Sequence, residues 1–258
     1  MKNTLNLILA ILLLSFGLQV SAEGPKLTPV SLQLKWTHQF QFAGYYAAIE
    51  QGYYEDEGLE VELHEFSFEN NVVDQVVSGN SDFGIGGSIL LSEFVNGQPL
   101  VAVTAIFQQN PMVLLAKKSS GIEKLTDLVG KKVMFNNGSV DHLPLRAMLS
   151  TQGISASDFT SIEHNYNYKD LINGSVDAIS AYLSNEPYWY QSKNVPINII
   201  KPQTYGINFY GDILFTSQQT LKQKPEVVEK FKRASLKGWQ YAVTHVDETV
   251  SLIRSKYN

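Results

Sequence analysis

Apolar and polar positions fall into short alternating runs separated by stretches of helical spacing. Val30-Ser31-Leu32-Gln33-Leu34-Lys35 alternates apolar and polar side chains, the signature of a half-buried strand. Phe42 to Gln51 reads as a helix closed by Gly52, and Leu59-Glu60-Val61-Glu62-Leu63 as a second alternating strand. Asn70 to Ser78 predicts a helix leading into Gly79-Asn80-Ser81-Asp82. Phe83 to Gly87 predicts a short strand that runs into a loop. Leu100 to Phe107 and Pro111 to Lys117 are further apolar strands. Strands separated by helices imply βαβ units and a largely parallel sheet.

The pattern then restarts. Lys131 to Phe135 is a strand, Asn136-Asn137-Gly138-Ser139 a turn, and Asp141 to Gln152 a helix with Pro144 accepted in its first turn. Val76-Val77-Ser78-Gly79-Asn80-Ser81-Asp82-Phe83-Gly84-Ile85 is echoed by Leu171-Ile172-Asn173-Gly174-Ser175-Val176-Asp177-Ala178-Ile179-Ser180. In each, a helix ends, a glycine turns the chain and an aspartate precedes a strand. With the restarted order, the echo supports two similar lobes. Pro225 opens a long helix, Glu226 to Thr244, with Val227, Val228, Phe231, Ala234, Tyr241 and Ala242 on or near one face. Asp247 to Tyr257 starts another helix, and the sequence stops inside it, which predicts a fragment of a longer protein.

Residues 1–22 read as a cleaved secretory signal. Lys2 is its positive start, Leu5 to Leu18 its apolar run, and Val20-Ser21-Ala22 its small-residue cleavage site. That run is short for a spanning helix of about 20 residues, so an exported, periplasmic chain with no membrane span in its mature part is expected. Cysteine is absent, which removes disulfides, thiolate metal sites and a cysteine nucleophile. The formal charge of −5, without a basic block, argues against nucleic acid as a partner. The five histidines lack ligand spacing, so no metal site is expected.

Ligands of open α/β sheets bind beyond the carboxyl ends of the strands, and that rule selects four segments. Trp36, His38 and Gln39 follow the first strand. Trp36 either stacks on a flat heteroaromatic ring or caps the core, and His38 and Gln39 offer hydrogen bonds to a ring edge. Of Tyr45 and Tyr46 in the following helix, one is expected to face the core. Gly86-Gly87-Ser88 lets backbone amides approach a ligand, and Ser88 is also a candidate helix cap. Asn137, Gly138 and Ser139 precede a helix start, which suits a carbonyl oxygen or an anionic substituent. Tyr182, Asn185 and Glu186 form the fourth segment. Glu186, ahead of Pro187, either accepts two N–H bonds from an aminopyrimidine edge or is an exposed loop acid. Tyr210 and Asp212 are second choices by the same rule. No nucleophile and base, and no metal triad, stand at suggestive spacing, so no catalytic residue is assigned.

Four separated segments resemble one family. They are Leu34 to Ala48, Ser184-Asn185-Glu186-Pro187, Tyr210 to Ser217, and Phe231 to Ala242. They resemble the thiamine-pyrimidine synthases and their bacterial periplasmic relatives. The resemblance implies a type II periplasmic binding-protein fold, an α/β architecture of two lobes with a hinge and an inter-lobe cleft. On that template residues 23–115 with 207–258 form the first lobe, incomplete at its C-terminus, and 116–206 the second. Bacterial relatives bind formylaminopyrimidine or hydroxymethylpyrimidine and deliver it to an ABC permease, or serve as sensors fused to a kinase or cyclase module. The alternative is the synthase itself, which makes the thiamine pyrimidine from pyridoxal phosphate and histidine with iron and a cysteine-rich motif. That motif is missing here. The resemblance therefore favours a ligand-binding protein that needs no cofactor, with pyridoxal phosphate and iron implied only under the alternative.

Overall fold

The computed structural model describes residues 26–67, 69–135 and 142–257. The signal-like segment and the turn at Asn137, Gly138 and Ser139 lie outside the described residues. The strands are β1 (Thr28–Gln33), β2 (Leu59–His64), β3 (Phe83–Gly86), β4 (Leu100–Phe107), β5 (Met112–Lys117), β6 (Lys132–Met134), β7 (Thr160–Ile162), β8 (Ala178–Tyr182), β9 (Ile197–Ile200) and β10 (Gly211–Ser217). The helices are α1 (Ala43–Glu50), α2 (Tyr53–Asp56), α3 (Val72–Val77), α4 (Ile89–Val95), α5 (Leu143–Thr151), α6 (Lys169–Asn173), α7 (Glu186–Ser192), α8 (Gln218–Gln223), α9 (Pro225–Thr244) and α10 (Val246–Lys256).

The strands form two five-stranded sheets, ordered β2-β1-β3-β10-β4 and β7-β6-β8-β5-β9. The expectation of a largely parallel sheet is corrected in the same way in both. β1, β2 and β3 run parallel, and so do β6, β7 and β8, but β10 is antiparallel to β3 and β4, and β5 to β8 and β9. The reason is the path of the chain. It crosses from the first sheet to the second between β4 and β5, and returns between β9 and β10. Each crossing inserts a strand that enters its sheet from the side of the other unit.

The internal echo has a structural counterpart, because β3 and β8 occupy the same place in their sheets. Gly79 and Gly174 both adopt left-handed backbone, with φ of 83° and 82°, which closes the preceding helix without a Cβ clash. Asp82 Oδ2 accepts the Ser31 N–H at 3.0 Å, and Asp177 Oδ2 accepts the Lys132 N–H at 2.8 Å. Each aspartate thus ties the strand it precedes to the neighbouring parallel strand.

Tyr45 and Tyr46 are both buried, where one was expected to be, because α1 is covered on two sides. Helix α9 presses Gly238 against α1 so closely that a Cβ there would lie 2.1 Å from the Gly44 carbonyl oxygen. The apolar face predicted for α9 is the buried one, with Val228, Phe231, Ala234 and Ala242 in the first unit's core. Phe231 stacks on Phe83 with ring centroids 4.1 Å apart. In the second unit, separate apolar clusters cover the two faces of the sheet, one around Leu145 and Met148, the other around Leu171 and Tyr190. Among the described residues no helix is long and apolar enough to cross a membrane.

Candidate functional site

A cavity of about 320 Å³ opens between the two sheets, at the carboxyl ends of their parallel strands. The first unit contributes Lys35, Trp36, Gln39 and Gln41 after β1, Phe66 and Asn70 to Val73 after β2, and Ile85 to Ile89 at the end of β3. Asn110 comes from the crossing segment, and Met112 begins β5. The second unit contributes His142 before α5, His164, Tyr166 and Tyr168 after β7, and Ser180 to Tyr182, Asn185 and Glu186 at the end of β8.

Aromatic rings form much of the wall. Trp36 stacks on Phe66, with centroids 5.4 Å apart and planes 25° from parallel, and meets Tyr166 of the second unit at 5.4 Å. Tyr166 holds a left-handed backbone, φ 58°, and its N–H donates to His164 Nδ1 at 3.1 Å. A flat ring entering here has aromatic faces from both units to lie against.

Glu186 is buried in the first turn of α7, and the exposed-acid alternative is thereby ruled out. Oε1 accepts from the Tyr168 hydroxyl at 2.8 Å and from Asn185 Nδ2 at 3.2 Å, and Oε2 accepts the Tyr182 N–H at 2.5 Å. A carboxylate offers about four acceptor positions, so room is left for one more donor. Burial, and then the negative charge of Glu186 beside it, push the Tyr168 phenol well above its ordinary range.

A second polar network joins the units. Lys35 Nζ lies 2.8 Å from Asp212 Oδ1 and donates to the Tyr182 hydroxyl at 2.8 Å, and that hydroxyl donates to Asp212 Oδ1 at 2.9 Å. Gln41 Nε2 donates to Asp212 Oδ2 at 2.7 Å. Asp212 is 2% exposed, and its φ of 43° is one that aspartate accepts more readily than most residues. It stands behind the cavity wall, where it anchors Lys35, Gln41 and Tyr182.

Trp36, Gln39, Gly87, Ser88, Tyr182, Asn185 and Glu186 thus come together at one cavity. His38 does not line it and is corrected. Its Nδ1 sits 2.8 Å from the Tyr46 hydroxyl and its ring packs against Tyr257, because the turn after β1 directs it toward α1 and α10. Tyr210 is also corrected. It is 57% exposed, outside the cavity lining, and its carbonyl lies near Asn110 Nδ2 in the return crossing. Ser88 stands at the N-cap position of α4 but does not cap it with its side chain. Its backbone is already helical, its hydroxyl makes no capping bond, and it is buried without a partner.

Three residues absent from the sequence reading form their own cluster. His142 Nε2 lies 3.0 Å from Ser180 Oγ, and His164 Nε2 donates to the Ser180 carbonyl at 3.0 Å. Burial lowers the pKa of both imidazoles, that of His142 to about 4, so both are neutral at pH 7. One signal was available in the sequence, a serine inside the otherwise apolar run Ala178 to Ala181.

The NMT1/THI5-like family pattern matches residues 39–249. The riboflavin-binding protein RibY of Chloroflexus aurantiacus is 28% identical over 88% of this chain, which spans 66% of RibY. The formylaminopyrimidine-binding protein of Halalkalibacterium halodurans is 25% identical over 96% of this chain and 77% of its own length. A relative in Legionella pneumophila, 25% identical over 87% of this chain and 72% of its own, is named 4-amino-5-hydroxymethyl-2-methylpyrimidine phosphate synthase. The fold matches the periplasmic aliphatic sulphonate binding protein SsuA of Escherichia coli with a TM-score of 0.73, covering 88% of this chain and 78% of SsuA at 19% identity. With two α/β units, a cleft between them and a pattern match over most of its length, the chain belongs to the NMT1/THI5-like family and has the periplasmic binding-protein fold.

Proposed function

We propose that this chain is the exported ligand-binding part of an uptake or sensing system for a flat, uncharged, amine-bearing heteroaromatic. The leading candidates are thiamine-related pyrimidines of the formylaminopyrimidine or hydroxymethylpyrimidine type. One observation carries the reading: an aromatic-walled cavity with a buried carboxylate, Glu186, that still has room for a donor. Lys35 is neutralised by Asp212, and no cation among the described residues lies within ion-pair distance of Glu186. Among the described residues the cleft therefore carries net negative charge, which favours an amino-substituted ring over a sulfonate or phosphate. Relatives named for binding formylaminopyrimidine and riboflavin, both flat heterocycles, support the same choice. Trp36, Gln39, Gly87, Ser88, Tyr182, Asn185 and Glu186 are the proposed contacts, with Trp36 stacking and Glu186 accepting an exocyclic N–H. Ligand binding shifts the protein toward a closed form, which a permease or a signalling module then recognises in the periplasm.

The synthase reading would require a lysine for pyridoxal phosphate and a set of iron ligands. The lysine lining the cavity, Lys35, is held by Asp212 and Tyr182, cysteine is absent, and no cluster of metal-binding side chains occurs among the described residues. These residues do not fit the two groups, and no chemical step is assigned to them.

Thermal unfolding of the purified mature chain provides the test. Formylaminopyrimidine or hydroxymethylpyrimidine at a hundred times Kd should stabilise it by about 2.7 kcal/mol, and an alkanesulfonate should not. Stabilisation by the sulfonate alone, or by no flat heterocycle, would overturn the reading. The coding sequence downstream of codon 258 distinguishes a transport component from a fused sensor.

A further inference from the structure

Four buried side-chain polar atoms among the described residues have no hydrogen-bond partner: Tyr45 Oη, Trp239 Nε1, Ser88 Oγ and His142 Nδ1. The first two belong to rings that meet edge-on in the core, 6.0 Å apart, between α1 and α9. The other two line the cavity, one from each unit, on residues 5% and 9% exposed. A buried polar group without a partner is costly, and native proteins keep few of them. That two line one cavity from its two sides points to a ligand.

The hydrogen-bond pattern determines what His142 offers. A carbonyl only accepts, so His164 carries its proton on Nε2 and receives the Tyr166 N–H on Nδ1. The Ser180 hydroxyl has one polar neighbour among the described residues, His142 Nε2 at 3.0 Å. If Ser180 donates there, its hydroxyl proton and Nε2 are both paired, and a neutral His142 carries its proton on Nδ1, the atom left without a partner. Ser180 is therefore a positioning residue that selects the tautomer, and the imidazole presents a donor to the cleft. Phe135, edge-on to the ring at 5.2 Å, restricts its rotation.

We propose that His142 Nδ1–H and Ser88 Oγ form a two-sided polar clamp for a flat, uncharged heterocycle, His142 donating to a ring nitrogen or carbonyl oxygen and Ser88 bonding a second polar atom. The clamp complements Glu186: one edge of the ligand gives protons to the carboxylate and another accepts one from the imidazole. Because the two clamp residues sit on different units, the ligand completes both contacts only when the units are closed on it. This assignment rests on the binding function proposed above and specifies its ligand as a molecule with both donor and acceptor edges.

The test uses the mature chain with 4-amino-5-hydroxymethyl-2-methylpyrimidine and riboflavin as probes. Nitrogen-15 NMR of the imidazoles should find the Nδ1–H tautomer at His142 in the free protein, and calorimetry should find Kd raised about ten-fold by either His142→Phe or Ser88→Ala. Ser180→Ala should weaken binding less, because it frees the ring to adopt either tautomer, and the NMR of that variant should show a mixture. An Nε2–H tautomer at His142 in the free wild-type protein overturns the clamp, as does binding unchanged by both His142→Phe and Ser88→Ala. If His142→Phe fails to fold, Ser88→Ala and the tautomer decide. If the wild type binds neither probe, the proposed function falls, and the clamp is then judged by the tautomer alone.

Discussion

Two polar clusters border the same cleft and differ in what each leaves unpaired. Around Asp212, both carboxylate oxygens are used, by Lys35 and Tyr182 on one and by Gln41 on the other. Around His142 and Ser88, one donor and one hydroxyl have no partner. The first cluster is a finished structure that ties Tyr182 of the second unit to Lys35 of the first. The second is unfinished until something enters. The contrast separates scaffold from recognition without reference to any relative. A buried charge is tolerated when it is fully paired, and a buried polar atom left alone signals a missing partner.

The comparison is most severely tested at Asp212. Asp212→Ala removes the carboxylate paired with Lys35 in a largely buried site, together with the acceptor of Gln41 and Tyr182. Breaking such a pair costs about 3–5 kcal/mol, which urea denaturation would measure directly. Asp212→Asn should cost less, since asparagine also tolerates the backbone φ of 43° and still accepts hydrogen bonds. A loss below about 1 kcal/mol for alanine, the value of an exposed ion pair, would show that this network is not a structural tie.

The sequence made the first side of this comparison far more legible than the second. Alternating strands, the Pro225 helix start and the glycine-aspartate echo all follow from local periodicity and turn chemistry, and the structure places them accordingly. The antiparallel β5 and β10 were not legible, because strand direction depends on how the chain crosses between units. At the site, the strand-end rule found the segments after β1, β3 and β8, where the strands are visible as apolar runs. It missed His164, Tyr166 and Tyr168 because β7 spans only Thr160–Ile162, too short to show a period. His38 was misplaced for a related reason. A loop carries no periodicity to tell which side chains turn toward the cleft, and Tyr46 and Tyr257 hold that ring elsewhere.

A pH series examines the unfinished side. Burial lowers the His142 pKa from 6.5 to about 4, with repulsion from His164 and Arg146 adding to the shift. Between these values the unfolded chain takes up a proton that the folded chain refuses. Stability from this group is thus complete above pH 6.5 and lost as pH falls to about 4, by about 3 kcal/mol in all. Denaturation at steps between those limits should show a steeper slope in the wild type than in His142→Phe, where His164 alone of the two imidazoles still contributes. Equal slopes would mean that His142 is not held neutral by its surroundings. Trp36→Ala, by contrast, should act on affinity: stacking is worth about 1–3 kcal/mol per ring, a loss of about 5- to 150-fold in Kd by calorimetry. An unchanged Kd would assign Trp36 to packing against Phe66.

The smallest change is the one that links the two clusters. Tyr182→Phe removes a single hydroxyl that accepts from Lys35 and donates to Asp212, while the ion pair and the ring's place in the wall remain. A hydrogen bond within such a network is worth about 1 kcal/mol net, so stability should fall by about that amount. Affinity should fall as well, because this hydroxyl is where the second unit holds the first, and a smaller population of the closed form raises the apparent Kd in proportion. The two effects should appear together, with the Kd change similar for the pyrimidine and for riboflavin, since loss of closure does not depend on which ligand is present. A Kd change for one ligand only, at unchanged stability, would instead place the Tyr182 hydroxyl among the recognition groups and move it to the unfinished side of the cleft.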